Sequence, residues 1–171
     1  VVFMPRLPMT RRIVLFMAIL IATFSGPAPV VAKEVDFAPQ VWVTPGFVSH
    51  HFDRDKGYRD GNPGLGAEVM LQRDHTVLAG TFVNSDSERS HYAVYQWRPL
   101  HWTVFGLDLG AGIAGGVFDG YPHYRNGGWF PAALPMGSLE GKGFGVNFTV
   151  LPNIPNRMHG AFVIQFKLRA W

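Results

Sequence analysis

The chain has 171 residues, room for one domain. It holds fifteen Lys and Arg against twelve Asp and Glu and no cysteine, which excludes disulfide scaffolds and thiol catalysis. Three of the arginines (Arg6, Arg11, Arg12) fall in the first 32 residues, so the remainder carries twelve charges of each sign and its balance gives no support to nucleic-acid binding.

The opening residues read as a secretory signal peptide over 1–32. The three arginines form a basic n-region, "IVLFMAILIATF" an apolar h-region and "GPAPVVA" a small-residue c-region, with cleavage expected after Ala32. The apolar run is too short, and too soon followed by Pro27 and Pro29, to be a spanning helix. The next stretch, "KEVDFAPQ", reads as a short N-terminal amphipathic helix or a linker.

Beyond it no sustained helical period occurs; the recurring pattern is alternation. In "AFVIQFKLRAW", Phe162, Ile164, Phe166 and Leu168 share one face, and Gln165, Lys167 and Arg169 the other. In "TVFGLDLGAGI", Phe105, Leu107, Leu109, Ala111 and Ile113 oppose Val104, Gly106, Asp108, Gly110 and Gly112. An apolar face backed by glycines and charges suits a strand with lipid outside and polar or small groups inside. Eight segments are expected, at about 40–52, 63–72, 75–84, 90–98, 102–115, 129–137, 143–152 and 158–170. The even count and the length of each predict an eight-stranded antiparallel outer-membrane β-barrel over 33–171. Aromatics are 14% of the chain, and Trp42, Trp97, Trp102, Trp129 and Trp171 fall near strand ends, as interfacial girdles require. The parity of Trp171 groups it with Lys167 and Arg169, which predicts a local twist at the last strand's end.

Turn lengths predict orientation. "QRDH" and "RPLH" read as tight periplasmic turns, while "DRDKGYRDGN", "NSDSERS" and "GGVFDGYPHYRNGG" read as longer outward loops. Ser49–Phe52 and Asn84–Ser87 then meet at one rim.

Chemistry concentrates at that rim. In "FVSHHF", alternation turns Phe47, Ser49 and His51 inward and Val48, His50 and Phe52 outward. Near His51, "NSDSERS" supplies Asn84, Ser85, Asp86, Ser87 and Ser90. A base, a hydroxyl and a group that orients the ring are the equipment of acyl transfer. His75 and His101 fall in the expected turns, and His91, His123 and His159 stand isolated. No two histidines share ligand spacing on one face, and "GLGAE" and "GAGIAGG" precede no helix, so neither a zinc site nor a nucleotide cofactor is expected.

"PMGSLEGKGFGVNFTVLP" (135–152), with Pro135, Ser138 and Pro152, resembles the sixth and seventh strands of the lipid A palmitoyltransferase family of outer-membrane enzymes. Pro45 and Pro63 match that family's prolines before its catalytic histidine and in the following strand. "FVNSDSERSHYAVYQWRP" matches its third and fourth strands through Phe82, Ser85, Tyr95 and Trp97. Proline donates nothing to a β-ladder, so paired prolines on neighbouring strands are expected either to open a gap in the wall through which an acyl chain could enter or to form a bulge that bends the barrel.

The resemblance implies a histidine–aspartate–serine site. An ungapped match puts Asn84 at the aspartate and Ser85 at the serine, and a shift of two residues puts Asp86 and Ser87 there. His50 and His51 compete for the histidine: counting from Pro45 favours His50, whereas parity favours His51. Gln96 stands where the family floors its acyl pocket with glycine. The expected activity is transfer of an acyl chain from a phospholipid to lipid A at the outer leaflet. His51 would be the base, Ser85 and Asn84 its partners, and Pro45, Pro63, Pro135, Pro152 and Gln96 would bind substrate. The charged residues Asp53, Arg54, Asp55, Lys56, Arg59 and Asp60 would meet phosphorylated head groups. The expected protein is a monomer placed in the outer membrane of a Gram-negative bacterium by the barrel assembly machinery. A lipid A deacylase, a phospholipase and a non-enzymatic lipid-binding barrel stay open as alternatives.

Overall fold

The computed structural model describes residues 37–154 and 159–171; the predicted signal peptide and the first part of "KEVDFAPQ" lie outside the described residues. Phe37–Pro39 take no regular structure, and the chain enters β1 at Gln40. Eight antiparallel strands follow: β1 (Gln40–His51), β2 (Gly61–Met70), β3 (His75–Val83), β4 (Arg89–Val104), β5 (Leu107–Phe118), β6 (Phe130–Glu140), β7 (Phe144–Leu151) and β8 (Ala161–Arg169). Each pairs with its neighbours in sequence, and β8 returns to β1 to close the barrel. Closure removes the free edge strands that a bilayer would leave unpaired along their whole length.

Alternation decides what faces out. Val48, Leu65, Tyr95, Trp97, Ile113, Phe166 and Leu168 are exposed on the outer wall. The lumen side of the wall carries Thr44, Glu68, Thr76, Arg98 and Lys167, all buried. An apolar exterior around buried charges is the polarity of a transmembrane-type β-barrel, and it is compatible with an outer-membrane protein. No helix among the described residues is long and apolar enough to cross a membrane, so any crossing is by strands.

Four expectations need correction. "RPLH" is no turn. Pro99, with no N–H to give, sits at a bulge between Trp97 and Leu100, and β4 runs on through it to Val104. The reversal comes at Phe105 and Gly106, both at positive φ (51° and 77°), as a two-residue hairpin requires. Trp42 belongs to no girdle: it is 1% exposed inside the lumen, with the Lys167 ammonium 5.0 Å from its ring centroid and its indole N–H donating to Met70 Sδ. Trp171 lies beyond the end of β8 and is 80% exposed, so strand parity does not govern it. The lumen, finally, is polar in only one half.

That polar half lies towards the short turns. Lys167 Nζ meets Glu68 Oε1 at 2.5 Å and Glu140 Oε1 at 2.6 Å. The guanidinium of Arg98 meets the same Glu140 oxygen at 2.5 Å and donates to Ser138 Oγ and Thr76 Oγ1. Asn147 donates to the second oxygen of Glu68 at 2.7 Å. Two cations and two carboxylates neutralise one another with their hydrogen bonds largely met, which is the condition for burying charge at all. The other half, towards the long loops, is lined by Leu78, Phe82, Tyr92, Phe118, Phe130 and Met136.

The wall is uneven where the prolines fall. Between Thr44 and Gly46 the register of β1 slips against β2, and its pairing with β8 is interrupted between Val43 and Phe47. Gly46 sits at φ +112°, and a Cβ there would strike the backbone carbonyl of Asn62. The slip reverses parity after Trp42 and Thr44, so that Phe47, Ser49 and His51 turn inward. The β6–β7 ladder runs from Glu140↔Gly145 to Met136↔Thr149 and stops. Above that rung Phe130–Pro135 pair only with β5, and the two strands part.

Candidate active site

The apolar half-lumen encloses a cavity of about 280 Å³, just under the usual range for ligand sites of roughly 300–1,000 Å³. Its depth ends at Gln96, Asn147 and Gln165, directly above the ionic plug. Its mouth is ringed by Ser49, His51, Tyr58, Ser85, Asp86, His123 and His159 from the long-loop end. The result is a blind apolar tube with a polar rim.

His51 is 6% exposed and lines this mouth; His50, its neighbour, faces out of the barrel. Nδ1 of His51 stands 3.3 Å from Asp60 Oδ1, and the other oxygen of Asp60 accepts from Arg54 at 2.7 Å. An ionised carboxylate only accepts, so Nδ1 carries a proton, and in the neutral ring Nε2 presents its lone pair to the mouth. Asp60 is ionised: the Arg54 hydrogen bond, then that of His51, holds its carboxyl below the ordinary carboxylate value. The ring of Tyr58 lies 4.9 Å from that of His51 at the mouth. Burial, helped by Asp86 and Asp53, holds its phenol above its ordinary value, and it keeps its proton.

The loop 84–88 contributes differently from its sequence reading. Ser85 lines the cavity, and its hydroxyl has no partner among the described residues. Asn84 is 0% exposed and spends its amide on holding the loop against β4 and the β5–β6 connection. Its nitrogen donates to Ser90 Oγ and the Gly120 carbonyl, and its oxygen accepts from the N–H groups of Asp86 and Glu88. With that capacity used, the group on the His51 ring is Asp60 and not Asn84. Asp86 lines the mouth, whereas Ser87 sits exposed at the turn with φ 65°.

Gln96 is 3% exposed at the cavity floor. Pro45, Pro63, Pro135 and Pro152 line no part of the cavity; all four are exposed, at the slipped β1–β2 register and beside the parting of β6 from β7. Of the charged residues in 53–60, Asp53 accepts from Asp55 N–H as the cap of a single 3-10 turn, and Arg59 donates to the Gly61 carbonyl. His75 starts β3 and bonds the Tyr95 hydroxyl, while His101 sits within β4. Among the described residues no group of three or more His, Asp or Glu is placed to hold a metal ion.

Three residues at this rim carry no sequence signal of a shared site: Asp60, Tyr58 and His159. Register supplies the signal for the first two. Val48 pairs with Gly61 and the Ser49 N–H donates to the Asp60 carbonyl, so continuing the β1–β2 hairpin brings 58–60 over His51. His159 follows only from closure, because the β8 pairing of His51 with Ala161 and the Phe52 N–H bond to Gly160 carry it to the same rim.

Fold and site together define a transmembrane-type β-barrel holding a blind apolar cavity, with a histidine–carboxylate pair at its mouth. No protein-family model and no curated protein matches the chain.

Proposed function

We propose that the chain is an outer-membrane acyltransferase that moves an acyl chain from a phospholipid to lipid A. The observation that carries the reading is His51, with a carboxylate on Nδ1 and a free Nε2, at the mouth of a blind apolar cavity. The cavity would take the hydrocarbon of the donor and leave its ester at the rim. Nε2 of His51 would remove the proton of the acceptor hydroxyl as its oxygen attacks the ester carbon. The tetrahedral oxyanion would accept a hydrogen bond from Ser85 Oγ, a contribution of about 3 kcal/mol for one well-placed donor. Collapse breaks the bond to the glycerol oxygen, which leaves with a proton as the lysophospholipid. The parting of β6 from β7 above Met136↔Thr149 offers the donor chain a sideways path into the cavity, and the exposed cations Arg54 and Lys56 lie where phosphorylated head groups would pass.

Mass spectrometry of lipid A from Gram-negative cells with and without the protein tests this. A gain of one acyl chain is expected, and it should vanish with His51→Asn. Loss of a chain would instead make the barrel a deacylase. Unchanged lipid A with new lysophospholipid and free fatty acid would make it a phospholipase. No change in any lipid would leave a binding protein.

A further inference from the structure

The mouth holds a second histidine that the reaction above leaves idle. His159 lines the same cavity as His51, with Nδ1 turned to Asp53 Oδ2 at 3.9 Å as His51 turns Nδ1 to Asp60. The ring of Tyr58 lies between the two imidazoles, 4.9 Å from that of His51 and 5.2 Å from that of His159. Both carboxylates and the tyrosine come from one loop, 52–60, and neither Nε2 has a hydrogen-bond partner among the described residues. Two histidine–aspartate pairs thus flank one aromatic ring at one opening.

Ester transfer moves two protons: one off the attacking hydroxyl and one onto the leaving oxygen. A poor leaving group such as a glycerol alkoxide does not depart without the second. Resting on the acyl-transfer reading, we infer that His159 is the general acid of the site. His51 Nε2 takes the acceptor proton as the new C–O bond forms. His159 acts as the imidazolium, with a proton on each nitrogen, and its Nε2 gives its proton to the glycerol oxygen as the old C–O bond breaks. The two imidazoles then exchange a proton through water at the rim, and no further reactant is consumed. Tyr58, held between them, sets their spacing, and Asp53 supplies a negative charge 3.9 Å from Nδ1 of His159, a contact longer than the hydrogen bond by which Asp60 turns the ring of His51.

Leaving-group chemistry tests the assignment on the purified full barrel in detergent, with folding checked by circular dichroism. The donors are a phospholipid and the p-nitrophenyl ester of a fatty acid, whose phenolate leaves without a proton; the acceptor is lipid A. His159→Gln should lose about 100-fold or more in kcat on the phospholipid, within the roughly 10²–10⁴-fold worth of a general acid. On the p-nitrophenyl ester it should stay within a few-fold of the parent protein. Asp53→Asn should show the same split to a smaller degree, and His51→Asn should lose both activities. Equal losses of the His159 variant on the two donors, or full phospholipid activity, would overturn the assignment while leaving acyl transfer intact. An unmodified barrel inactive on both donors would overturn acyl transfer, and the acid role with it.

Discussion

Nδ1 of His51 lies 3.3 Å from Oδ1 of Asp60, and the second oxygen of that carboxylate holds Arg54 at 2.7 Å. A side chain at the C-terminal, mouth end of β1 is thereby oriented by the loop that follows it, and the loop in turn is tied down by its own arginine. The cluster of charges in 53–60 is therefore not simply a solvated surface. Its acid reaches back to the one buried histidine of the cavity mouth, while Lys56 and Arg54 stay outside.

Replacing Asp60 by Asn keeps the shape and removes the charge. The amide can present either its oxygen or its nitrogen to Nδ1, so the ring loses its fixed tautomer. Acyl transfer should fall at least about tenfold in kcat, short of the roughly 10²–10⁴-fold expected for losing the base itself. KM for the donor should change little, because the cavity is untouched. Steady-state kinetics on the purified barrel measures both; unchanged kcat would remove Asp60 from the site.

The same carboxylate makes a prediction about pH. Its value in the folded chain lies below the ordinary 3.8, first through Arg54 and then through His51. The folded state therefore binds fewer protons than the unfolded state across that range. The pair's contribution is fully present above the ordinary value and is lost as pH falls through the lowered one. The gap in unfolding midpoint between the parent protein and Asp60→Asn should hold steady above about pH 5 and close on acidification below the ordinary value. Because both partners are partly exposed, added salt should narrow the gap as well.

Lys167 is the hinge of the ionic plug. Replacement by Met leaves Glu68 with Asn147 alone and Glu140 with Arg98 alone, one negative charge in excess within the lumen. Removing one member of a buried pair costs about 3–5 kcal/mol. Equilibrium unfolding in micelles should show a loss of that order. Changing Lys167 and Glu68 together, to Met and Gln, should recover part of it.

The outer wall gives a test of the membrane assignment that needs no substrate. Ile113 is 55% exposed on the outer face of β5. In a bilayer, Ile113→Arg should cost about 2–4 kcal/mol if the position lies near the midplane, and less towards either interface. The adjacent Ala114→Ser, on the lumen side, should cost little. Urea titration of the folded barrel in lipid vesicles compares the two. Equal, small effects would mean that Ile113 faces water.

Alternation is a local property, since successive side chains of any extended strand point to opposite sides. For that reason the inward set Gln165, Lys167 and Arg169 of β8, the outward Phe162, Phe166 and Leu168, and the inward turn of His51 could be read directly from spacing. The number of strands followed from the same period, and so did the closed antiparallel barrel. Interruptions of the period were less legible. The turn between β2 and β3 shows in its run of polar residues, but a proline or glycine within a run did not by itself tell a bulge from a reversal. Pro99 marks a bulge within β4, while the true turn at Phe105 and Gly106 hides inside an alternating run.

What a side chain meets across the lumen is set by closure and register, and these join residues up to a hundred positions apart. Lys167 finds Glu68, Trp42 lies beneath Lys167, and the lumen divides into a charged plug and an apolar cavity. None of these follows from local spacing. Asn84 looked like a partner for His51, yet a buried amide must satisfy all its hydrogen bonds where it stands, and the groups that met it were Asp86 and Glu88 of its own loop, Ser90 of β4 and the distant Gly120 carbonyl. Asp60 and His159 reach the rim through the β1–β2 hairpin and the β8–β1 seam. Period two determines which way a residue points; only the closed ladder decides which residue it then faces.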